Sequence, residues 1–264
     1  MQQDAFLLEL NMLRHIDILG YSVLNEPAGH VAAEICDQLD GPQRTSCVFL
    51  NPHSVVVARH DPAFRTAVTA ASAIFCDGVG LSLASQLLNR REVHRVYGYQ
   101  FFKALSTELS QRGLGRVFFI GGSAADLAAL EAKYRADYPG VRAIASYAPP
   151  FRAEFAPAEI ADMAARVDAS GADVLWIGLG SPKQEKVLHQ LMQHCQVSCA
   201  AAVGAVFDFY SGKVPHAPRW IRRAGLQWLH RLVLEPRRLW RRTLISMPLF
   251  VSQVVWELAV GARR

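Results

Sequence analysis

No Asp-x-Asp pair occurs in the chain, so the usual carboxylates that hold a metal–diphosphate complex are missing. G-x-G-x-x-G is absent, which weakens a dinucleotide reading, and without G-x-x-x-x-G-K-[ST] there is no P-loop. Gly178-Leu179-Gly180-Ser181-Pro182 is no nucleophile elbow, because serine is not its central residue. The five cysteines (Cys36, Cys47, Cys76, Cys195, Cys199) are odd in number and unpatterned, which points to reduced thiols in a cytosolic setting. His194, Cys195 and Cys199 fall short of a zinc site because no second ligand pair follows, so neither metal nor cofactor is expected. The first residues lack a basic start and a small-residue cleavage site and do not read as a signal peptide.

Acids are nearly missing from the last fifth of the chain. After Asp208 only Glu235 and Glu257 remain, against eleven lysines and arginines, although the net charge of the whole is only +5. The body is near neutral or acidic and the tail cationic, which implies an anionic partner: phospholipid, nucleic acid or a phosphorylated substrate. From Leu244 to Val260 the chain is largely apolar, but Pro248, Gln253 and Glu257 interrupt it. That run is short for a spanning helix of about 20 residues and fits an interfacial helix flanked by arginines.

What is present is an alternation of apolar strands and helices. Strands are expected at Ile16–Val23, Cys47–Leu50, Ala73–Cys76, Arg116–Ile120, Val141–Ser146, Val174–Ile177 and Gln196–Val203. Helices are expected at about 28–39, 54–71, from 81, after Gly98, from 124, at 157–170 and from Ser181. Gly204–Gly212 reads as turn-rich. The alternation predicts an α/β fold, Rossmann-like, with a mostly parallel sheet and helices on both faces. We divide the chain into an α/β catalytic domain at 1–218 and a helical, basic, membrane-associating appendage at 219–264.

The most informative stretch is ADVLWIGLGSPKQEKVLHQ, from Ala172 to Gln190. A buried strand ends in Gly178 and Gly180, Ser181 is placed to cap the next helix and Pro182 to open it. Strand, glycine turn and helix N-terminus bring N–H groups and partial positive charge to one point, which suits phosphate but also serves an ordinary connection. Asn51, Asp77, Gly121, Tyr147, Gln184 and Asp208 all fall at the carboxyl edge of the sheet by this assignment. Asp77 follows a strand and precedes glycines, so it can take a proton from a hydroxyl nucleophile or cap the next helix. Asn51 and Gln184 can orient sugar hydroxyls or be surface amides. Asp208 stands among apolar neighbours and wants a uracil N–H or a basic side chain. Arg95 is a phosphate ligand or a solvated charge.

Taken together, several segments resemble the WecG/TagA/CpsF glycosyltransferases. They are Gly180-Ser181-Pro182-Lys183-Gln184-Glu185, Val203-Gly204-Ala205-Val206-Phe207-Asp208, Ala217-Pro218-Arg219-Trp220 and Gly225-Leu226-Gln227-Trp228-Leu229-His230-Arg231, with Glu235-Pro236-Arg237-Arg238. Upstream, Leu50-Asn51-Pro52, Cys76-Asp77-Gly78-Val79-Gly80, Arg95-Val96-Tyr97-Gly98 and Ile120-Gly121-Gly122 follow in matching order. The resemblance implies an inverting, metal-independent transfer of a sugar from a UDP-sugar to a polyprenyl-diphosphate-linked saccharide, at the cytoplasmic face of a bacterial membrane. It makes Asp77 the general base, Asn51, Arg95 and Gln184 pocket residues and Asp208 the acid near the uridine; Gly121, Gly122, Tyr147, Gly180 and Lys183 join the expected substrate contacts by their place at the sheet edge and the glycine turn. Arg231, Arg237, Arg238, Arg241 and Arg242 would meet the acceptor diphosphate and an anionic membrane surface, and a homo-oligomer is compatible with it. Phe49 stands where the family often has threonine, which hints at a sugar other than N-acetylmannosamine, glucose being one possibility. The competing readings are a nucleic-acid-binding module with a basic, tryptophan-bearing arm and a UDP-sugar-binding protein without catalysis.

Overall fold

The computed structural model describes residues 13–215, 218, 221, 229, 232–233, 240 and 244–261. Its centre is an eight-stranded sheet in the order β1-β2-β4-β3-β8-β7-β5-β6. The strands are β1 (His15–Ile18), β2 (Tyr21–Leu24), β3 (Thr45–Leu50), β4 (Ala73–Cys76), β5 (Arg116–Gly121), β6 (Ala143–Tyr147), β7 (Val174–Gly178) and β8 (Cys199–Ala202). Only β1 and β2 are antiparallel; every other pairing is parallel. The expected single strand at 16–23 is therefore a hairpin. Leu19 and Gly20 both take positive φ, +57° and +81°, which reverses the chain in two residues.

Helices cover both faces, which is why the central strands read as unbroken apolar runs. One face carries α2 (Pro52–His60), α3 (Pro62–Thr69), α4 (Val79–Asn89), α7 (Pro157–Ala169) and α8 (Lys183–His194). The other carries α1 (Ala28–Asp37), α5 (Gly98–Arg112), α6 (Ala124–Asp137) and the short α9 (Val206–Tyr210). The second core is aromatic: Trp176, fully buried, lies among Phe101 and Phe102, and Phe49 stacks on Phe75 at 5.2 Å.

Three boundaries differ from the sequence reading. The helix expected over 54–71 is two helices, because Pro62 disfavours helical geometry at Asp61; Asp61 instead accepts from Phe64 N–H at 2.9 Å and caps α3. The helix after Gly180 starts at Lys183, with Pro182 rather than Ser181 at the cap and no side-chain capping bond. The turn-rich segment contains α9.

The last described helix, α10 (Ser246–Gly261), packs against α2 and α4. Phe250 and Val254, 3% and 5% exposed, join the core beneath those helices. Leu249, Val251, Val255 and Trp256 stay exposed on its other sides, and Leu83 and Leu87 are exposed on α4. Among the described residues no helix is long and apolar enough to cross a membrane.

Candidate active site

A parallel sheet delivers the carboxyl ends of its strands to one edge, and the pairing register shows which of those ends adjoin. Leu50 pairs with Cys76, so the residues that follow, Asn51 and Asp77, leave neighbouring strands side by side. Gly121 pairs with Gly178, and Ile120 with Tyr147. Along the edge the order is Asp77 after β4, Asn51 after β3, then the ends of β8, β7, β5 and β6. From β4 to β7 is three strand spacings, about 14 Å.

Asn51 caps α2 by accepting from Ser54 N–H at 3.1 Å, which commits the carbonyl half of its amide. Asp77 is half-buried, and its N–H donates to Leu50 O at 2.8 Å. The cap position of α4 falls on Gly78, one residue beyond it. The backbone of Arg95 comes beside the end of β4 by a route that periodicity does not reveal: it bridges Cys76 in parallel, and Val96 N–H donates to Cys76 O at 2.9 Å. The Cys76 thiol registers both charges. Burial pushes its pKa up to about 12, Asp77 adds to the rise and Arg95 opposes it.

At β7 the glycine turn is braced from within. Gly180 N–H donates to Gln184 Oε1 at 3.1 Å, while Gln184 Nε2 donates to Glu185 Oε1 at 3.1 Å and to Ala202 O at 3.3 Å. Gln184 is 5% exposed, so its amide acts by fixing the turn and tying β7 to β8. Lys183 donates to Arg152 O at 2.6 Å and lies over the rings of Phe155 and Phe151, at 5.2 and 5.4 Å. Burial lowers its pKa. Its ammonium thus clamps the β6–α7 loop to the start of α8.

Gly121 takes φ +130°, and a side chain there would place Cβ 2.3 Å from Gly178 O, so only glycine lets β5 and β7 close this end of the site. Beyond Gly122, Ser123 and Asp126 form a capping box on α6, and Asp126 accepts from Lys213 at 3.0 Å. That helix end already holds a carboxylate. The Asp126 carboxylate raises the pKa of Lys213, and the charge of Asp208 adds to the rise. Tyr147 ends β6 with its ring under the Arg166 guanidinium at 4.5 Å. Among the described residues no three His, Cys, Asp or Glu side chains gather into a metal-binding group, and all five cysteines are buried thiols.

Arg231, Arg237, Arg238, Arg241 and Arg242 lie outside the described residues. What the sequence did not single out is His53, whose Nδ1 sits 2.8 Å from Ser246 Oγ and joins α10 to the helix capped by Asn51. The only signal was its place in Asn51-Pro52-His53.

Two relatives are N-acetylglucosaminyldiphosphoundecaprenol N-acetyl-β-D-mannosaminyltransferases. The one from Bacillus spizizenii is 30% identical over 254 residues, covering 96% of this chain and 93% of its own. The one from Bacillus subtilis is 28% identical over 208 residues, covering 79% and 78%. The family model described as glycosyl transferase WecG/TagA/CpsF matches residues 16–264, and the chain belongs to that family.

Proposed function

We propose that this glycosyltransferase moves N-acetylmannosamine, or a closely related hexose, from a UDP-sugar to a polyprenyl-diphosphate-linked N-acetylglucosamine, inverting the anomeric centre without a metal ion. The observation that carries it is the pairing of β3 with β4, which sets Asn51 and Asp77 side by side with Arg95 docked on the same strand end. The names of the two relatives support the acceptor and the transferred sugar. Phe49 is no counter-argument, because its ring is buried against Phe75 and Phe101.

In the reaction, Asp77 takes the proton of the acceptor hydroxyl as its oxygen attacks the anomeric carbon, and the bond from that carbon to the UDP oxygen breaks. General-base help of this kind contributes about 10²–10⁴-fold. The departing diphosphate gathers negative charge. The helix end at Ser181–Lys183 stabilises it with groups already in place, while Arg95, on the strand end that carries Asp77, binds substrate at the opposite end. The uridine lies towards Gly121, Gly122, Tyr147 and Asp208. Asn51 orients a sugar hydroxyl, and Gln184 keeps the glycine turn in shape.

Residues 219–264 form the appendage that brings the enzyme to its lipid substrate, at the cytoplasmic face. Each arginine near an anionic leaflet contributes about 1 kcal/mol, and Arg231, Arg237, Arg238, Arg241 and Arg242 supply several. The uncovered apolar sides of α10 and α4 add burial against lipid.

The test is UDP release from a panel of UDP-sugars with a short-chain polyprenyl-diphosphate N-acetylglucosamine, with and without EDTA. Turnover of UDP-N-acetylmannosamine that survives the chelator supports the reading. Binding of UDP without turnover of any donor sinks it, as does turnover that needs an added divalent ion.

A further inference from the structure

Strand β2 stops one residue short of β4. Leu24 pairs with Phe75, but the neighbour of Cys76 is Arg95, not Asn25. The side chain of Asn25 makes the transfer between the two: its Oδ1 accepts from His94 N–H at 2.7 Å and its Nδ2 donates to Glu92 O at 3.3 Å. The two bonds imitate a ladder rung and start the segment that continues beside β4. Asn25 is itself held from behind. Its N–H donates to Arg14 O at 2.7 Å, and Arg14 is bound through its backbone N–H and its guanidinium to the buried carboxylate of Glu26. Val93 then packs into one core and Val96 into the other, on opposite faces of the sheet. Residue 95 is therefore left at the sheet edge, next to the strand that ends in Asp77.

We infer that Asn25 is a positioning residue for sugar transfer, acting through the 92–96 segment to set Arg95 against the end of β4. This rests on the reading of Arg95 as a substrate-binding group. Nothing in the interval between Asn25 and Arg95 relates them by sequence; the link exists only because β2 ends where it does. A displacement of about 1 Å at a substrate-binding group is enough to cost up to about 10²-fold in rate, so a polar tie behind the site can control turnover without touching substrate.

A double-mutant cycle on the full chain tests it, using Asn25→Ala, Arg95→Ala and the pair. Rates are measured as UDP release with UDP-N-acetylmannosamine and the short-chain lipid-linked acceptor, and melting temperature is recorded alongside. Asn25→Ala is expected to lower kcat/KM about tenfold, and the double variant to be no worse than Arg95→Ala alone. Asn25→Asp keeps the acceptor for His94 N–H and is expected to retain most of the activity. If the alanine variant does not fold, Asn25→Ser, too short to span both bonds, carries the cycle with the same expected outcomes. Activity of Asn25→Ala within about twofold of the parent overturns the inference, and so do losses that multiply in the double variant. A silent Arg95→Ala overturns the underlying reading of Arg95 instead, and is visible in the single variant.

Discussion

Ser246 Oγ and His53 Nδ1 stand 2.8 Å apart, joining residues 193 positions distant in the chain. His53 is the second residue of the helix that Asn51 caps, so α10 is fastened within a few residues of the site. Met247 adds to the joint: a side chain at Gly80, three residues after Asp77, would meet Pro52 at 2.6 Å and Met247 at 3.8 Å. The helix that follows the basic segment is thus fastened to the first turns of the two helices that begin after Asn51 and Asp77.

Loosening that joint is expected to free α10. Phe250→Ala removes the most deeply buried aromatic contact of α10, worth about 3–5 kcal/mol in a core. Because α10 docks on an otherwise complete core, the loss should release the helix rather than unfold the sheet. Amide exchange across 246–261 should speed up while the main thermal transition moves little. Exchange unchanged from the parent contradicts the docking.

The uncovered sides of α10 should bind lipid. Val255→Gln with Trp256→Gln exposes no core residue, since both side chains are already 58% and 60% exposed. Each loses about 1.5–3 kcal/mol of burial if it enters a bilayer. Sedimentation with vesicles of anionic lipid should fall by at least tenfold, and melting temperature should stay. Undiminished sedimentation argues that the arginines alone attach the enzyme.

Gly121→Ala is expected to fail structurally, whatever its effect on substrate. A Cβ at 2.3 Å from Gly178 O combines with φ +130° to force β5 and β7 apart. The cost should be about 3 kcal/mol or more, read as a lower urea midpoint. A midpoint like that of the parent would show that the two strand ends are less tightly joined.

Glu26 gives a pH signature. Burial alone would raise its pKa, but hydrogen bonds from Arg14 and His30 outweigh that and bring it down to about 2. A lowered carboxylate pKa stabilises the fold above its unfolded value near 4.5, and that stabilisation fades as pH falls towards 2. Glu26→Gln should therefore cost about 1–2 kcal/mol at pH 7, allowing for the exposure of Arg14, and progressively less between pH 4.5 and 2. A penalty independent of pH would mean that charge is not what Glu26 contributes.

The sheet was legible because its central strands are buried on both faces, and such strands show as short apolar runs between glycines and prolines. That Asn51, Asp77, Gly121 and Tyr147 end or follow strands at the carboxyl edge was legible with it, but their order along the edge was not, since it depends on the strand order, and Asp208 lies in α9. The hairpin at Leu19 was not legible, because leucine carries no sign of positive φ. The break at Pro62 was hidden by apolar spacing that runs through both helices. Side-chain commitments were also beyond reach. That Gln184 braces Gly180, that Lys183 holds Arg152 O and that Asn25 ties down His94 depend on which segments the fold brings together, not on local pattern.

The central claim is that one carboxylate, Asp77, removes the acceptor proton at a site whose far end holds the diphosphate. Asp77→Asn keeps the shape and removes the base. The account predicts unchanged folding, UDP affinity within about threefold of the parent and a fall in kcat of about 10²–10⁴-fold. Turnover within a few-fold of the parent, at undiminished UDP affinity, would contradict it.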